Sequence, residues 1–218
     1  MPQDSRKQQG DTTRDALIKT ATRVFAELGY YGASTRAIAK AADVNQALIG
    51  YHFGGKKDLY QAVFVAIAEA LEQRMTDRLE QLKALLAEPD PSREDCLAAM
   101  ETFCGGLVEL MLQPETEYWS QLILREQQHP GPAFDILYER FMSRVLGITT
   151  RLAGHLRPEL ESEEVKLLVI TVLGQILVWR FARTGIQRQM GWNNPDIEAI
   201  KHRVFTNIRL LLAKEPFE

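Results

Sequence analysis

The sequence predicts an all-α protein, with an N-terminal three-helix helix-turn-helix domain followed by a larger helical ligand-binding and dimerisation domain. Three observations predict it. Apolar residues recur at spacings of three and four along almost the whole of the 218 residues, and no stretch of four to eight residues alternates as a half-buried strand would. Two breaks, at Asp43-Val44-Asn45 and at Gly54-Gly55, isolate a pair of very short helices behind a longer one.

The elements follow in order. From Thr12, the residues Ala16, Leu17, Ala21, Val24, Phe25 and Leu28 mark one buried stripe, which Gly29 stops. Ser34 or Thr35 caps a short helix whose apolar face is Ala37, Ile38, Ala41 and Ala42. Asp43 turns the chain, a residue that tolerates a left-handed backbone better than most, and Asn45 is a good N-cap for the next helix, 46–52. Ala37, Ile38, Ala41, Val44 and Ile49 form the expected small core. A long helix then runs from Lys57 to Glu88, ended by Asp90-Pro91. Helices are expected at 92–112, 115–128, 133–156, 163–183 and 195–214, with Gly185 to Asn194 as a break.

Composition is that of an ordinary globular chain, 45% hydrophobic and 25% charged, with no apolar run long enough to span a membrane. The polar start lacks the apolar centre of a secretory signal, so residues 1–10 read as a disordered arm and the expected location is the cytoplasm. Cys96 and Cys104 lie eight residues apart on one predicted helix, roughly 12 Å, too far for a disulfide. The net charge of −3 conceals an asymmetry. Residues 1–60 hold nine basic against six acidic side chains, a balance of +3, which leaves −6 for the rest. A basic head on an acidic body suits a polyanion at one end. The sequence contains no phosphate-binding glycine loop, nucleophile elbow or metal-ligand spacing, and His129, His155 and His202 lack partners at such spacing, so neither an enzyme, a cofactor nor a metal is expected.

Within a helix-turn-helix the second short helix enters the major groove, and Gln46 and Ala47 stand on its first turn. Thr35-Arg36-Ala37-Ile38-Ala39, Ala42-Asp43-Val44 and Tyr51-His52-Phe53-Gly54-Gly55-Lys56-Lys57-Asp58-Leu59 resemble the DNA-binding region of TetR-type transcriptional regulators, over about Ala16 to Val63. Asp43 stands where glycine is usual, and Gly50 where a bulkier residue is common. Leu124-Arg125-Glu126-Gln127 and Gly174-Gln175-Ile176-Leu177 resemble the C-terminal half of the CecR-like branch. The resemblance implies phosphate contacts by Thr35, Arg36, Tyr51, His52 and Lys56. It implies base contacts by Gln46 with help from Asn45, and apolar contact of Ala47 and Leu48 with a thymine methyl. The domains expected are 11–56 for DNA and 57–218 for ligand and dimer.

The predicted helix 163–183 is apolar over more than half its circumference, the helix 195–214 adds Ile197, Ile200, Val204, Ile208, Leu211 and Leu212, and such helices must bury two faces. A homodimer interface is expected there, through Val172, Ile176, Ile200, Val204 and Ile208. Trp119, Gln121, Arg125, Gln175, Trp179 and Arg183 combine aromatic faces with polar tips, as an effector pocket requires, and Arg125 is the expected polar anchor. The resulting expectation is a ligand-responsive repressor with a double-stranded DNA operator, a small-molecule effector and a second copy of itself as partners. The alternative is a helical carrier or interaction module that does not bind DNA.

Overall fold

The computed structural model describes the backbone of residues 2–213 and the side chains of residues 12–213. Residues 2–10, expected as a disordered arm, are helical and open the first helix of the chain. Eleven α-helices, and no strand, occur among the described residues, and contacts gather them into two units.

The first unit comprises residues 1–70 and 117–140. Helix α1 (Pro2–Gly32) is broken by Gly29, whose φ of 72° only glycine adopts without strain. Helices α2 (Thr35–Ala41) and α3 (Ala47–Phe53) follow, then the first half of α4 (Lys56–Leu85), and later α6 (Glu117–Gln128) and α7 (Pro132–Leu137). Leu17, Phe25, Ile38, Ile49, Leu59 and Phe64 are its fully buried centre. The inward side of α2 is Ile38 and Ala39, with Ala42 half-buried, while Ala37 and Ala41 face solvent. The inward face is therefore turned by about one residue from the expected one, and of the two candidate caps Ser34 is the one that acts: its hydroxyl accepts from Ala37 N–H at 3.1 Å.

The contacts divide the chain differently from a cut after residue 56. Helix α6 belongs with the head because two of its side chains grip α1 and α4. Arg125 donates to the Ala26 carbonyl at 3.2 Å, and Glu126 accepts from the Tyr60 hydroxyl at 2.8 Å.

The second unit comprises residues 71–116 and 141–218. Helix α5 (Arg93–Leu112) runs through its centre and buries Leu97, Met100, Phe103 and Val108 against α8 (Ser143–Leu156), α9 (Ser162–Phe181) and α11 (Ile197–Leu212). Gly105 and Gly106 permit this closeness. A Cβ on the first would meet the Phe205 ring at 3.0 Å, and one on the second would collide with the Arg78 guanidinium. Cys96 and Cys104 are free and buried in α5, and burial pushes the Cys104 thiol up to about 12, so both are inert core residues.

Two elements depart from expectation. The segment read as a break after residue 185 contains α10 (Arg183–Met190), bent by 79° from α9 at Ala182 and ended by Gly191 at φ 66°. Gly185 there is a tolerated helical glycine, since seven of the eight residues in α10 are adequate helix formers. The helix expected over 133–156 is interrupted by a π-helical turn, Tyr138–Met142. No single helix among the described residues is long and apolar enough to cross a membrane.

The expected dimer residues are corrected outright. Val172, Ile176, Ile200, Val204 and Ile208 are each 2% exposed or less within one chain, where they face α5 and one another. The outward face of α9 carries Leu167, Ile170, Leu177, Val178 and Phe181 instead, between 41 and 59% exposed. Periodicity showed that α9 has two apolar faces; it assigned the wrong one to the outside.

Candidate nucleic-acid interface

The site is built on the turn between α2 and α3. Asp43 takes φ 54°, the left-handed conformation its position demanded, and Val44 N–H returns to the Ala39 carbonyl at 3.0 Å. Asn45 then caps α3, its side-chain oxygen accepting from Ala47 N–H at 2.9 Å, and Gln46 already has helical dihedrals. The consequence is rotational. With Ile49 buried and Leu48, His52 and Phe53 half-buried, the exposed face of α3 is Gln46, Ala47, Gly50 and Tyr51.

Gln46 is not loose on that face. Its amide nitrogen donates to the Thr35 hydroxyl at 3.0 Å, so the first turns of α2 and α3 are tied together and the amide is preoriented. Between them lies an open concavity of about 450 Å³, lined by Thr35, Gln46, Ala47, Ile49, Gly50 and Gly55. Arg36, the next residue after Thr35, is exposed.

The far end of α3 stops at Gly54, left-handed at φ 84°, whose N–H bonds the Gly50 carbonyl at 2.9 Å. Tyr51, 82% exposed, packs edge-on with His52 at 5.0 Å. Phe53 lies under the Arg14 guanidinium, 5.5 Å from its ring centre. Lys56 opens α4 with its ammonium 4.6 Å from the Tyr30 ring centre. A cation held over an aromatic ring at a helix start keeps its donors for an anion and adds its charge to the positive end of the helix.

Sequence reasoning missed what stands behind Lys56. Tyr30 packs on Tyr60 at 5.0 Å, Tyr60 touches Phe25 at 4.9 Å and Phe64 at 5.2 Å, and its hydroxyl ends on Glu126. Burial and the neighbouring carboxylate both push the Tyr60 phenol far up, so it remains a proton donor. The Tyr30-Tyr31 pair just after Gly29 was the available signal, but nothing local says which aromatic turns inward.

The candidate effector residues are distributed over both units. Trp119, Gln121 and Arg125 lie on α6 in the first; Gln175, Trp179 and Arg183 lie on α9 and α10 in the second. Arg125 is drawn to the carbonyl end of α1, close against Gly29, which gives it a structural partner in place of the expected free anchor. Gln121 is exposed and Trp119 half-buried. In the second unit the Gln175 oxygen accepts from Asn207 at 2.9 Å while its amide nitrogen is buried without an acceptor. One turn on, Trp179 stacks on Trp192 with ring centres 6.4 Å apart. No group of metal-binding side chains occurs among the described residues.

Residues 17–63 match the model of the tetR family of bacterial regulatory proteins, and residues 97–214 match that of the C-terminal domain of the HTH-type transcriptional dual regulator CecR. The chain is 30% identical to the CecR dual regulator of Shigella flexneri over 94% of its own length and 93% of that protein's. It is 26% identical to the transcriptional repressor NicS of Pseudomonas putida, covering 74% of this chain and 68% of the relative. Among solved structures, AibR in complex with isovaleryl coenzyme A and operator DNA shares the fold with a TM-score of 0.66 at 15% identity, over 94% of this chain and all of that one. FadR from Bacillus subtilis in complex with stearoyl-CoA does so with a TM-score of 0.61 at 17% identity, over 92% and 98%.

The Tyr60–Glu126 bond yields a stability test. The other Glu126 oxygen is buried and unpaired, so Tyr60→Phe leaves the whole carboxylate without a donor and should cost about 1–3 kcal/mol in denaturant unfolding. Removing both groups, as Tyr60→Phe with Glu126→Leu, should restore part of the loss; additive losses would show that the bond contributes nothing.

Proposed function

The chain belongs to the TetR family of bacterial regulatory proteins, with a C-terminal domain of the CecR type, and from this premise we propose a homodimeric repressor that leaves its operator when a small molecule binds. It is a ligand-responsive DNA-binding regulator of transcription. The observation that supports this reading is the outward face of α3: Gln46, Ala47, Gly50 and Tyr51 are exposed, Arg36 follows the Thr35 that holds Gln46, and Lys56 opens α4 just after Gly54 and Gly55. Base edges are read by the middle of that face and phosphates are held at its ends.

Dimerisation runs through the outward stripe of α9. Leu167, Ile170, Leu177, Val178 and Phe181 recur at spacings of three, seven, one and three, a single helical face, and Gly174 within it leaves room for a close approach. Two copies related by a twofold axis would then present their α3 helices about 34–36 Å apart, one turn of the duplex.

Effector control reaches the head through α6, which lies within the CecR-type segment of the chain yet holds α1 by Arg125 and α4 by Glu126. A ligand shifts operator affinity only as far as it distinguishes the two head arrangements. The unused amide nitrogen of Gln175 and the Trp179–Trp192 stack support an effector with an apolar part and a carbonyl oxygen. AibR and FadR, which carry acyl thioesters of coenzyme A in their solved structures, make that class the first to titrate against the protein–DNA complex.

Two substitutions should give opposite signatures on DNA. Lys56→Ala should weaken binding to every duplex alike and lower the salt slope by about one, whereas Gln46→Ala should cost about 1–3 kcal/mol on the operator and little on scrambled DNA. Equal losses on both duplexes for Gln46→Ala would place that side chain on the backbone.

The oligomer has its own test. Leu177→Glu should give a folded monomer by light scattering with weak operator binding, while Ile176→Glu, one residue away but fully buried, should not fold. A dimeric Leu177→Glu protein would move the interface off α9.

A further inference from the structure

Gly50 occupies the centre of the seven-residue helix α3, and the fold has no use for a glycine there. Its φ is not among the left-handed ones, it is exposed, and a Cβ added to it would meet nothing within 4 Å. Inside a helix a glycine costs up to about 1 kcal/mol against alanine, and here nothing in the chain offsets that cost. The reason for a bare backbone at this position therefore lies outside the chain.

Its surroundings describe what comes there. Ala47 lies one turn before Gly50 on the same face, and the two line the hollow with Ile49 and Gly55, so no charged side chain is among its lining residues. Its polar lining is Thr35 and Gln46, and the Gln46 amide is held by the Thr35 hydroxyl. On the other side Tyr51 projects into solvent. Of the groups that base pairs display in the major groove, one alone is apolar and protruding: the C5 methyl of thymine.

We propose that the notch formed by Ala47 and Gly50 is a thymine-methyl subsite, and that Gly50 determines operator specificity by letting the α3 backbone approach the base edge more closely than any side chain would permit. The inference rests on the reading of α3 as the base-reading helix and names what that helix reads. Gln46, preoriented by Thr35, contacts the neighbouring base, so the helix reads a step that contains thymine. Introducing a Cβ at Gly50 fills the notch and holds the helix away from the groove.

The probe is a set of duplexes enriched from a random pool by the wild-type protein. With the wild type, replacing each thymine by deoxyuridine in turn should lower affinity about 3- to 10-fold at one position in each half-site and little elsewhere. Gly50→Ala should melt at the same temperature as the wild type or higher, lose about tenfold on the enriched duplex, and no longer distinguish thymine from deoxyuridine at that position. Its affinity for random DNA and its salt slope should stay as they were. Wild-type binding that is indifferent to every thymine methyl overturns the inference, and so does a Gly50→Ala protein that binds the enriched duplex as the wild type does. Failure of the underlying reading looks different: no duplex is then enriched, and Lys56→Ala alters nothing.

Discussion

A protein made only of helices must do something with the carbonyl groups at their ends. Each α-helix leaves its last four carbonyls without an intrahelical donor, and wherever such an end is covered by another helix water cannot serve. Here arginines from distant segments reach those ends. Arg125 takes the Ala26 carbonyl just before the kink in α1, Arg180 takes Gln113 at the end of α5, Arg157 takes Leu211 in the last turn of α11, and Arg93 bridges Leu156 of α8 and Leu212 of α11. A guanidinium suits the task, because its forked donors serve two oxygens and its charge complements the negative end of the helix dipole. Arg157 and Arg180 are more than nine-tenths buried in doing so. These bonds join helices remote in sequence, and within each unit they fix how those helices meet.

The DNA-facing surface illustrates the dependence. Its own chemistry is local: Asp43 in the left-handed turn, Asn45 on the first turn of α3 and Gly54 at its end suffice to shape two short helices. Helices of seven residues do not persist alone, however, and their orientation comes from Ile38 and Ile49 in a core completed by α1 and α4. That core is in turn closed by α6, through Arg125 on α1 and Glu126 on Tyr60. A segment belonging to the CecR-type part of the chain thereby becomes a structural member of the head.

The second unit shows the opposite emphasis, toward permanence. Its centre α5 is approached so closely that Gly105 and Gly106 stand where any larger residue would meet Phe205 or Arg78. Around it the charges are paired: Arg78 with Glu109, Glu109 with Lys201, and Arg209 with both Glu94 and Glu101. Exposed pairs of this kind add little individually and act mainly to fix the register of α11 on α5. The outer surface of α9 is left apolar, with Leu167, Ile170, Leu177, Val178 and Phe181 exposed.

The sequence by itself determined the helices, their principal breaks and the turn chemistry of the head. Those features rest on contacts within four residues, so the identity of Ser34, Asp43, Asn45 or Gly54 is enough to decide them, and the resemblance to TetR-type regulators lay in the same span. Only the tertiary structure decided which face of α9 and α11 is inside. Both faces of α9 are apolar, while the outward side of α11 carries His202, Arg203 and Arg209; periodicity states that residues share a side without stating whether that side meets the same chain or a second copy, and Val172, Ile176, Ile200, Val204 and Ile208 proved to be core. It also decided what Arg125 and Gln46 hold, because a long polar side chain takes whichever partner the docking of distant helices brings within reach: a carbonyl of α1 for one, the hydroxyl of Thr35 for the other.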